Sequence, residues 1–262
     1  MQMIKSLLRR WYRGIPQDER GRLLWGRWFR KLAFRLMLWF FGLSIGSVIL
    51  YSFLPVPATP LMFIRSAEQI GDAKRELTWK RDWVPLDQIS PNLQLAVVCA
   101  EDQLFLEHEG FDFQAIEKAY EHNKTHKRKL GASTISQQTA KNVFLWPNRS
   151  WLRKGLEVYF TFLIEVVWSK KRIMTVYLNS IEFGDGIYGA EAAAQHFFKK
   201  PASKLSVNEA ALLASCIRNP FIYSVANPNK EARRKQKFIM RNMKYWDGRI
   251  NYEEPNTPGV DE

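Results

Sequence analysis

The sequence predicts a mainly α-helical protein with one membrane-spanning helix ahead of a single sizeable domain. Two observations carry this prediction. Leu36 to Leu54 is an uncharged run, and from Ser90 onward helix-start signals recur, each followed by apolar residues three or four positions apart. No alternating run is long enough to predict a strand, and no segment repeats another. A chain of 262 residues has room for one such domain and an appendage.

The uncharged run has the length of a membrane span. Its 19 residues would form a helix of about 28 Å, close to the thickness of a bilayer's hydrocarbon core. Pro55 and Pro57 then end it. Two other interpretations stay open from the sequence: a buried core helix, and a cleavable signal peptide with a loose cleavage site at Val56-Pro57-Ala58.

Charge predicts the orientation of this span. Residues 1–35 hold ten Lys or Arg residues and two acids, so the positive-inside rule places the N-terminus in the cytoplasm and the chain from Leu61 outside. Trp25, Trp28 and Trp39 are placed as an interfacial aromatic belt would be.

The formal net charge of +13 does not indicate a nucleic-acid partner. The leader contributes +8 of it, and the remaining +5 is not arranged as an aromatic-interleaved basic motif. We expect the leader to lie against anionic lipid head groups. The predicted segments are a basic cytoplasmic leader (1–35), a transmembrane helix (36–54), a membrane-proximal linker (55–82), a helical domain (83–250) and an acidic flexible tail (251–262).

The helical signals of the domain follow one another closely. Ser90-Pro91 predicts a helix with Leu93 and Val97 on its buried face, and Glu101 at its C-terminal end is unfavourable for the helix dipole. Asp112 predicts a second helix to Tyr120, with Phe113 and Ile116 directed inward.

The next two helices are the most strongly marked. Thr134 and Gln137 fit a capping box for a helix to about Val143. The longest soluble helix spans Trp151 to Trp168 and carries two stripes. Its apolar stripe consists of Leu152, Leu156, Tyr159, Leu163 and Val166, and its polar stripe of Arg153, Glu157 and Thr161.

Further helices are predicted at the C-terminal side. They are Lys170 to Leu178, Ala190 to Phe198 after a glycine-rich loop at 184–189, Ala210 to Ile217 after a capping box at Ser206, and a basic helix after Pro228. Cys99 and Cys216 fall in apolar helical patterns, which favours two buried free thiols over a disulfide.

Three short stretches carry the chemistry. They run from Glu101 to Asp112, from Gly131 to Gln138, and from Arg153 to Glu157. Together they supply two carboxylates, a polar helix start and a cluster of cations. This inventory suits a sugar transfer in which one carboxylate activates a hydroxyl while cations and hydrogen-bond donors hold a departing phosphate.

The order and spacing of these stretches resemble the peptidoglycan glycosyltransferases of family 51, over roughly residues 83–220, and the chain is similar throughout to their membrane-anchored monofunctional form. The resemblance implies a lysozyme-like two-lobed helical glycosyltransferase domain that polymerises lipid II into β-1,4-linked glycan with inversion and release of polyprenyl pyrophosphate. It also implies the cell inner membrane, with the catalytic domain in the periplasm. The implied partners are lipid II, the growing lipid-linked glycan chain, the membrane, and other cell-wall synthesis or division proteins.

Within this resemblance, Glu101 matches the general base. Asp102 is expected to orient nearby backbone or basic groups. Phe105 and His108 belong to the substrate-binding set, more as packing and hydrogen-bonding supports than as catalysts. The alternative for Glu101 and Asp102 is a pair of solvated surface acids.

The second stretch matches a substrate-binding helix start. Ser133, Thr134, Gln137 and Gln138 place hydroxyls, amides and free backbone donors where an anion can bind, and an ordinary N-cap is the alternative. Ala132 replaces a glycine that many family members carry, so position 132 does not need a positive φ.

The remaining matches concern the pyrophosphate. Lys141, Arg153 and Lys154 match cations on the donor, and Glu157 matches the second catalytic carboxylate. Glu157 is expected either to hold those cations or to bind a divalent cation, Mg²⁺ or Mn²⁺, and its structural alternative is an ion pair worth about 0.3 to 0.5 kcal/mol. No organic cofactor is expected. Thr175 stands where many members carry Glu.

Two other functions stay open. One is a hydrolase that cuts glycan, which would have little need for the cation cluster, and the other is a non-enzymatic scaffold of the cell-wall machinery. The sequence contains neither Ser-x-x-Lys nor Lys-Thr-Gly, so no transpeptidase activity is expected.

Overall fold

A computed structural model describes residues 25–253 except 74, 128, 149 and 247. Most of the basic leader, up to residue 24, and the acidic tail from residue 254 lie outside the described residues. The chain divides into two compact units, the first ending at Leu50 and the second beginning at Tyr51. The described residues form ten α-helices and three short strands, which confirms the mainly α class.

The first helix, α1, contains the predicted span. It runs from Trp25 to Phe53, and its 29 residues give a length of about 43 Å. It begins before residue 36 because the basic residues ahead of the uncharged run are good helix formers. Large apolar side chains cover its surface, among them Trp39, which is 67% exposed. By length and composition, α1 can cross a membrane.

Nine helices belong to the second unit: α2 (Pro60–Gly71), α3 (Pro91–Glu101), α4 (Phe113–Thr125), α5 (Ile135–Phe144), α6 (Trp151–Val167), α7 (Lys170–Ser180), α8 (Ala190–Phe198), α9 (Val207–Cys216) and α10 (Lys230–Met243). Their starts follow the sequence signals. Side-chain oxygens accept from free backbone N–H groups at Ser90, Asp112, Thr134, Ser150, Ser169, Ser206 and Asn229. The capping boxes predicted at Thr134 and Ser206 are confirmed.

These helices pack in two groups. In one, α9 lies against α3 and α10, and in the other, α5 lies against α6 and α7 with α2 beside it. The first group buries Cys99 and Cys216, and both thiols are free, as predicted. Burial raises the pKa of the Cys99 thiol to about 12, which keeps it protonated and unreactive.

Three short strands correct the expectation that the chain has none. They are β1 (Lys80–Arg81), β2 (Glu182–Gly184) and β3 (Ile187–Tyr188), in the order β1-β3-β2. β1 pairs parallel to β3, and β2 pairs antiparallel to it. Strands of two or three residues are too short to leave an alternating pattern in the sequence. The segment predicted as a linker, 55–82, therefore contains α2 and a strand of this sheet.

The inward face predicted for α4 is wrong. Phe113 is 75% exposed and Ile116 is 39% exposed, and Ala119 is the buried residue of this helix. Spacing shows which residues share a face of a helix. It does not show which face meets the core.

The two stripes of α6 are separate, but their environments are the reverse of the usual pattern. The polar stripe of Arg153, Glu157 and Thr161 is buried, whereas Leu152 and Val166 of the apolar stripe are 71% and 68% exposed. Burial of the polar stripe is possible because its charges are paired with one another. The exposed face of α6 also carries Trp151 and Phe162, so this helix presents apolar surface outward.

The turn between β2 and β3 depends on Gly186. Its φ is +69°, and a Cβ there would lie 2.0 Å from the carbonyl oxygen of Thr78. We expect Gly186→Ala to destabilise the protein by more than about 2 kcal/mol, which lowers Tm by about 4 °C or more. Thermal unfolding of the full chain in detergent measures this.

Gly155→Ala is the matched control. Gly155 lies inside α6, and no neighbouring atom lies within 4 Å of the place that an alanine methyl group would take. Alanine should therefore raise Tm by about 2 °C through its higher helix propensity. Equal shifts for the two substitutions would contradict the role assigned to Gly186.

Candidate active site

Glu101 stands at the C-terminal end of α3, with its side chain 11% exposed. Its Oε1 accepts from the Nζ of Lys235 at 2.8 Å, and its Oε2 accepts from the Nε2 of Gln138 at 3.1 Å. Two elements distant in sequence, α10 and α5, therefore hold the carboxylate in place. Each oxygen keeps a further lone pair for another donor.

Tyr177 on α7 fixes the amide that faces Glu101. Its hydroxyl donates to the Oε1 of Gln138 at 3.2 Å. Burial, with added repulsion from Glu101 and Asp102, raises the pKa of Tyr177, so the hydroxyl keeps its proton and donates. Gln138 is thereby oriented with its N–H toward Glu101.

Asp102 points the other way, into the protein. Its Oδ2 accepts from the backbone N–H of Ile135 at the start of α5, at 2.9 Å, and its Oδ1 accepts from the Nε2 of His108 at 2.8 Å. The Nδ1 of His108 accepts from the backbone N–H of Gly110 at 3.1 Å, so the ring proton is on Nε2. Asp102 and His108 thus join the first sequence stretch to the second.

Gly110 allows this close approach. Its φ is +85°, and a Cβ would lie 2.8 Å from side-chain atoms of Thr161 and Glu165 on α6. Its carbonyl accepts from the Oγ1 of Thr134 at 2.7 Å. Phe105 is fully buried, consistent with a packing support.

A cationic cavity of about 560 Å³ opens between α5, α6 and the segment after α9. Seven of the predicted site residues line it: Ser133, Gln137, Gln138, Lys141, Arg153, Lys154 and Glu157. Arg65, Glu182 and Arg218 complete its charged lining. Five cations face two carboxylates, so the cavity suits a ligand with several negative charges.

Glu157 neutralises two of these cations. Its Oε2 accepts from Arg153 at 2.6 Å, and its Oε1 accepts from Lys154. Lys141 is different, because its ammonium forms no hydrogen bond with any part of the chain that the structure describes. Burial lowers the pKa of Lys141, opposed by the attraction of Glu157. A bound anion would compensate its charge.

A second cavity of about 490 Å³ has Glu101 in its lining. Its lining includes Glu101, Asp102, Gln103, Asp112, Gln114, Lys118, Thr134 and Phe238. Ser133 lines both cavities. The two cavities are therefore neighbours, and the hydrogen bond from Gln138 connects the carboxylate of Glu101 in one to the lining of the other.

The residues around Glu157 do not fit a resident divalent metal. Both of its oxygens are engaged by cations, and the described residues contain no group of three or more His, Cys, Asp or Glu side chains that could hold an ion.

The structure brings together most predicted site residues and adds others. Phe105 and His108 line neither cavity. Arg65, Glu182, Arg218 and Lys235 were not predicted. Arg65 lies on α2, in the segment predicted as a linker, and it donates to Glu182 at 3.3 Å. Only the Thr59-Pro60 helix start could have indicated that this segment is structured.

Comparisons with known proteins show the family of this chain. A family model described as Transglycosylase matches residues 68–244. A biosynthetic peptidoglycan transglycosylase of Bacteroides thetaiotaomicron is 55% identical over 213 residues, which cover 81% of this chain and 86% of the relative. Proteins with the same name from Bdellovibrio bacteriovorus and Cronobacter sakazakii are 53% and 50% identical, over 82% and 84% of this chain and 86% and 91% of their own lengths.

We expect Asp102→Asn to destabilise the protein by about 2 to 3 kcal/mol, because an amide cannot accept from both donors with the strength of a carboxylate. Thermal unfolding should show a loss of about 4 to 8 °C. The control is Asp87→Asn, which changes the same group at an exposed position and should shift Tm by about 1 °C or less. Similar shifts for both variants would contradict the role of Asp102.

Proposed function

We propose, from the premise that this chain belongs to the transglycosylase family and is a peptidoglycan glycosyltransferase, that it polymerises lipid II into β-1,4-linked glycan strands with release of polyprenyl pyrophosphate. One observation carries the proposal. Glu101 lines the second cavity, and Gln138, which donates to its carboxylate, lines the cavity rich in cations, so a base at Glu101 would stand next to both a donor and an acceptor.

In the proposed reaction the donor is the growing glycan chain, whose terminal sugar carries the polyprenyl pyrophosphate. Lys141, Arg153 and Lys154 bind the pyrophosphate in the cationic cavity. Lys141 gains most, because it is half-buried and its ammonium forms no ion pair of its own within the described residues. Arg153 and Lys154 are held toward the ligand by Glu157.

The acceptor is the next lipid II, with its disaccharide in the second cavity, which Glu101 lines, and its 4-hydroxyl directed at Glu101. Glu101 takes the hydroxyl proton as the oxygen forms a bond to the anomeric carbon. The bond from that carbon to the phosphate oxygen breaks, and the pyrophosphate leaves with the electron pair. A single displacement inverts the anomeric centre, and the cations stabilise the charge that develops on the leaving group.

We also propose that the enzyme works at the inner membrane, with its N-terminus in the cytoplasm and its catalytic unit in the periplasm. Support comes from the length of α1 and from the cations that precede the uncharged run. The apolar outer face of α6 and the exposed rings of Phe63 and Trp79 would contact lipid near the substrate. The other cell-wall synthesis or division proteins expected as partners remain proposals.

Incubation of the purified full chain with labelled lipid II tests the proposal. Longer glycan supports it, whereas shortening of added glycan would indicate a hydrolase, and no change would indicate a scaffold. The products should carry no cross-links, since the sequence lacks the transpeptidase motifs.

Glu101→Gln keeps the size of the side chain, but its amide can accept from only one of Lys235 and Gln138 and cannot act as a base. We expect polymerisation to fall by about 10² to 10⁴ fold while the protein remains folded. Glu107→Gln, at an exposed position of the same stretch, should retain full activity. Activity of Glu101→Gln within about threefold of the parent would contradict its assignment as the base.

Glu157→Gln tests whether this carboxylate holds Arg153 and Lys154 or has the metal-binding role that the sequence also left open. If Glu157 holds Arg153 and Lys154, activity should fall by a similar factor, about tenfold or more, at every Mg²⁺ or Mn²⁺ concentration. If it binds a metal, the loss should be greatest at low metal. Glu117→Gln, which is exposed on α4, serves as the control at each concentration.

A further inference from the structure

Two arginines bind backbone carbonyls at the end of the predicted span and just beyond it. Arg172 donates through its Nε to the carbonyl of Tyr51 at 3.0 Å, and Arg81 donates through NH1 to the carbonyl of Pro57 at 2.7 Å and through NH2 to that of Val56. Neither has a carboxylate partner within the described residues. Pro57 is three residues beyond Leu54, the last residue of the predicted span. The carbonyl that Arg81 binds is therefore at most about 10 Å along the chain from the end of the span.

A cleft of about 410 Å³ lies beside Arg81. Its charged lining is Lys80, Arg81, Lys199 and one acid, Asp82, and its other lining includes Trp79 and His196. Asp82 is exposed and forms no ion pair with another described residue. The cleft therefore has excess positive charge that its own residues do not neutralise.

Lys80 and His196 contact each other in the cleft through a hydrogen bond that leaves the charge of the lysine without an anionic partner among the described residues. The Nζ of Lys80 lies 3.1 Å from the Nδ1 of His196, so the ring can only accept there. Burial, and then the charges of Lys80 and Lys199, lower the pKa of His196. An anion between these groups would accept from both cations and from a protonated imidazole.

Lys199 is directed to the same place by an unusual backbone. Its φ of +56° is the one positive value at a non-glycine residue in the part of the chain that the structure describes. Its Nζ folds back and donates to the carbonyl of His196 at 3.0 Å. Glycine would be the usual residue at this C-cap, and lysine there adds a cation to the cleft.

We propose that this cleft binds the phosphate group of an anionic membrane lipid such as phosphatidylglycerol. The proposal rests on the proposed membrane anchoring, since that places the cleft near head groups. The rings of Phe63 and Trp79, 5.5 Å apart and exposed, form an apolar edge suited to the glycerol and upper acyl region. Lys80, His196 and Lys199 line neither substrate cavity, so the site is separate from the reaction.

The test uses the full chain in neutral detergent with a fluorescent phosphatidylglycerol. The double variant Lys80→Gln/Lys199→Gln should weaken binding about tenfold or more. The matched control, Lys204→Gln/Lys237→Gln, removes the same charge at exposed positions outside the cleft and should change binding by less than about twofold. Both variants should polymerise lipid II in detergent like the parent, so failure of this proposal is distinct from failure of the proposed function.

Affinity should also rise several-fold from about pH 8 to about pH 6. The charged groups around His196 are Lys80, Arg81 and Asp82 from the β1 segment and Lys199 after its own helix. A bound phosphate raises the pKa of His196, so binding takes up a proton and is stronger at low pH. His196→Gln should abolish this dependence.

Three results would overturn the proposal. They are equal losses in the two double variants, equal binding of phosphatidylcholine, and competition by inorganic phosphate at the same concentration as the lipid. The first would indicate general surface charge. The second would remove the anion requirement, and the third would assign the cleft to a free anion.

Discussion

The buried carboxylate of Asp102 is the interaction on which the site depends. It receives the first backbone N–H of α5 and the Nε2–H of His108, and it thereby connects the end of α3 to the start of α5. Because the helix N-terminus carries partial positive charge, a buried anion is favourable there. Because Asp102 is turned inward, its neighbour Glu101 is directed the other way. There it accepts a hydrogen bond from Gln138, which lies on the same helix that Asp102 binds at its N-terminus.

The cationic cavity is a compromise between stability and binding. A buried cation without a partner is costly, and Glu157 removes that cost for the buried Arg153 while it also binds the more exposed Lys154. Burial opposes the charge of Lys141, and the attraction of Glu157 offsets this only in part. A phosphate bound in the cavity would favour the charged form of Lys141.

Local signals allowed the sequence to predict the helices and most of the site. The capping boxes at Thr134 and Ser206 depend on residues three positions apart, and the motif residues lie within short stretches. The exposure of Phe113 and the burial of the polar stripe of α6 depend on which neighbours a helix meets, which spacing does not encode. Lys235 lies 134 positions from Glu101, so only the tertiary fold could pair them.

The position of Arg65 sets a limit on distance. Arg65 follows Leu54, the end of the predicted span, by eleven positions, and the last six of these lie in α2, so the connection reaches at most about 26 Å. In the proposed reaction the pyrophosphate that Arg65 would face is itself fixed to a lipid. With the proposed membrane anchoring, the enzyme and its substrate would both be attached to the same bilayer and would meet at the same cavity. The chain between Leu54 and Arg65 would then limit how far from the membrane the reaction takes place, and the lipid of the substrate could remain in the bilayer throughout the transfer.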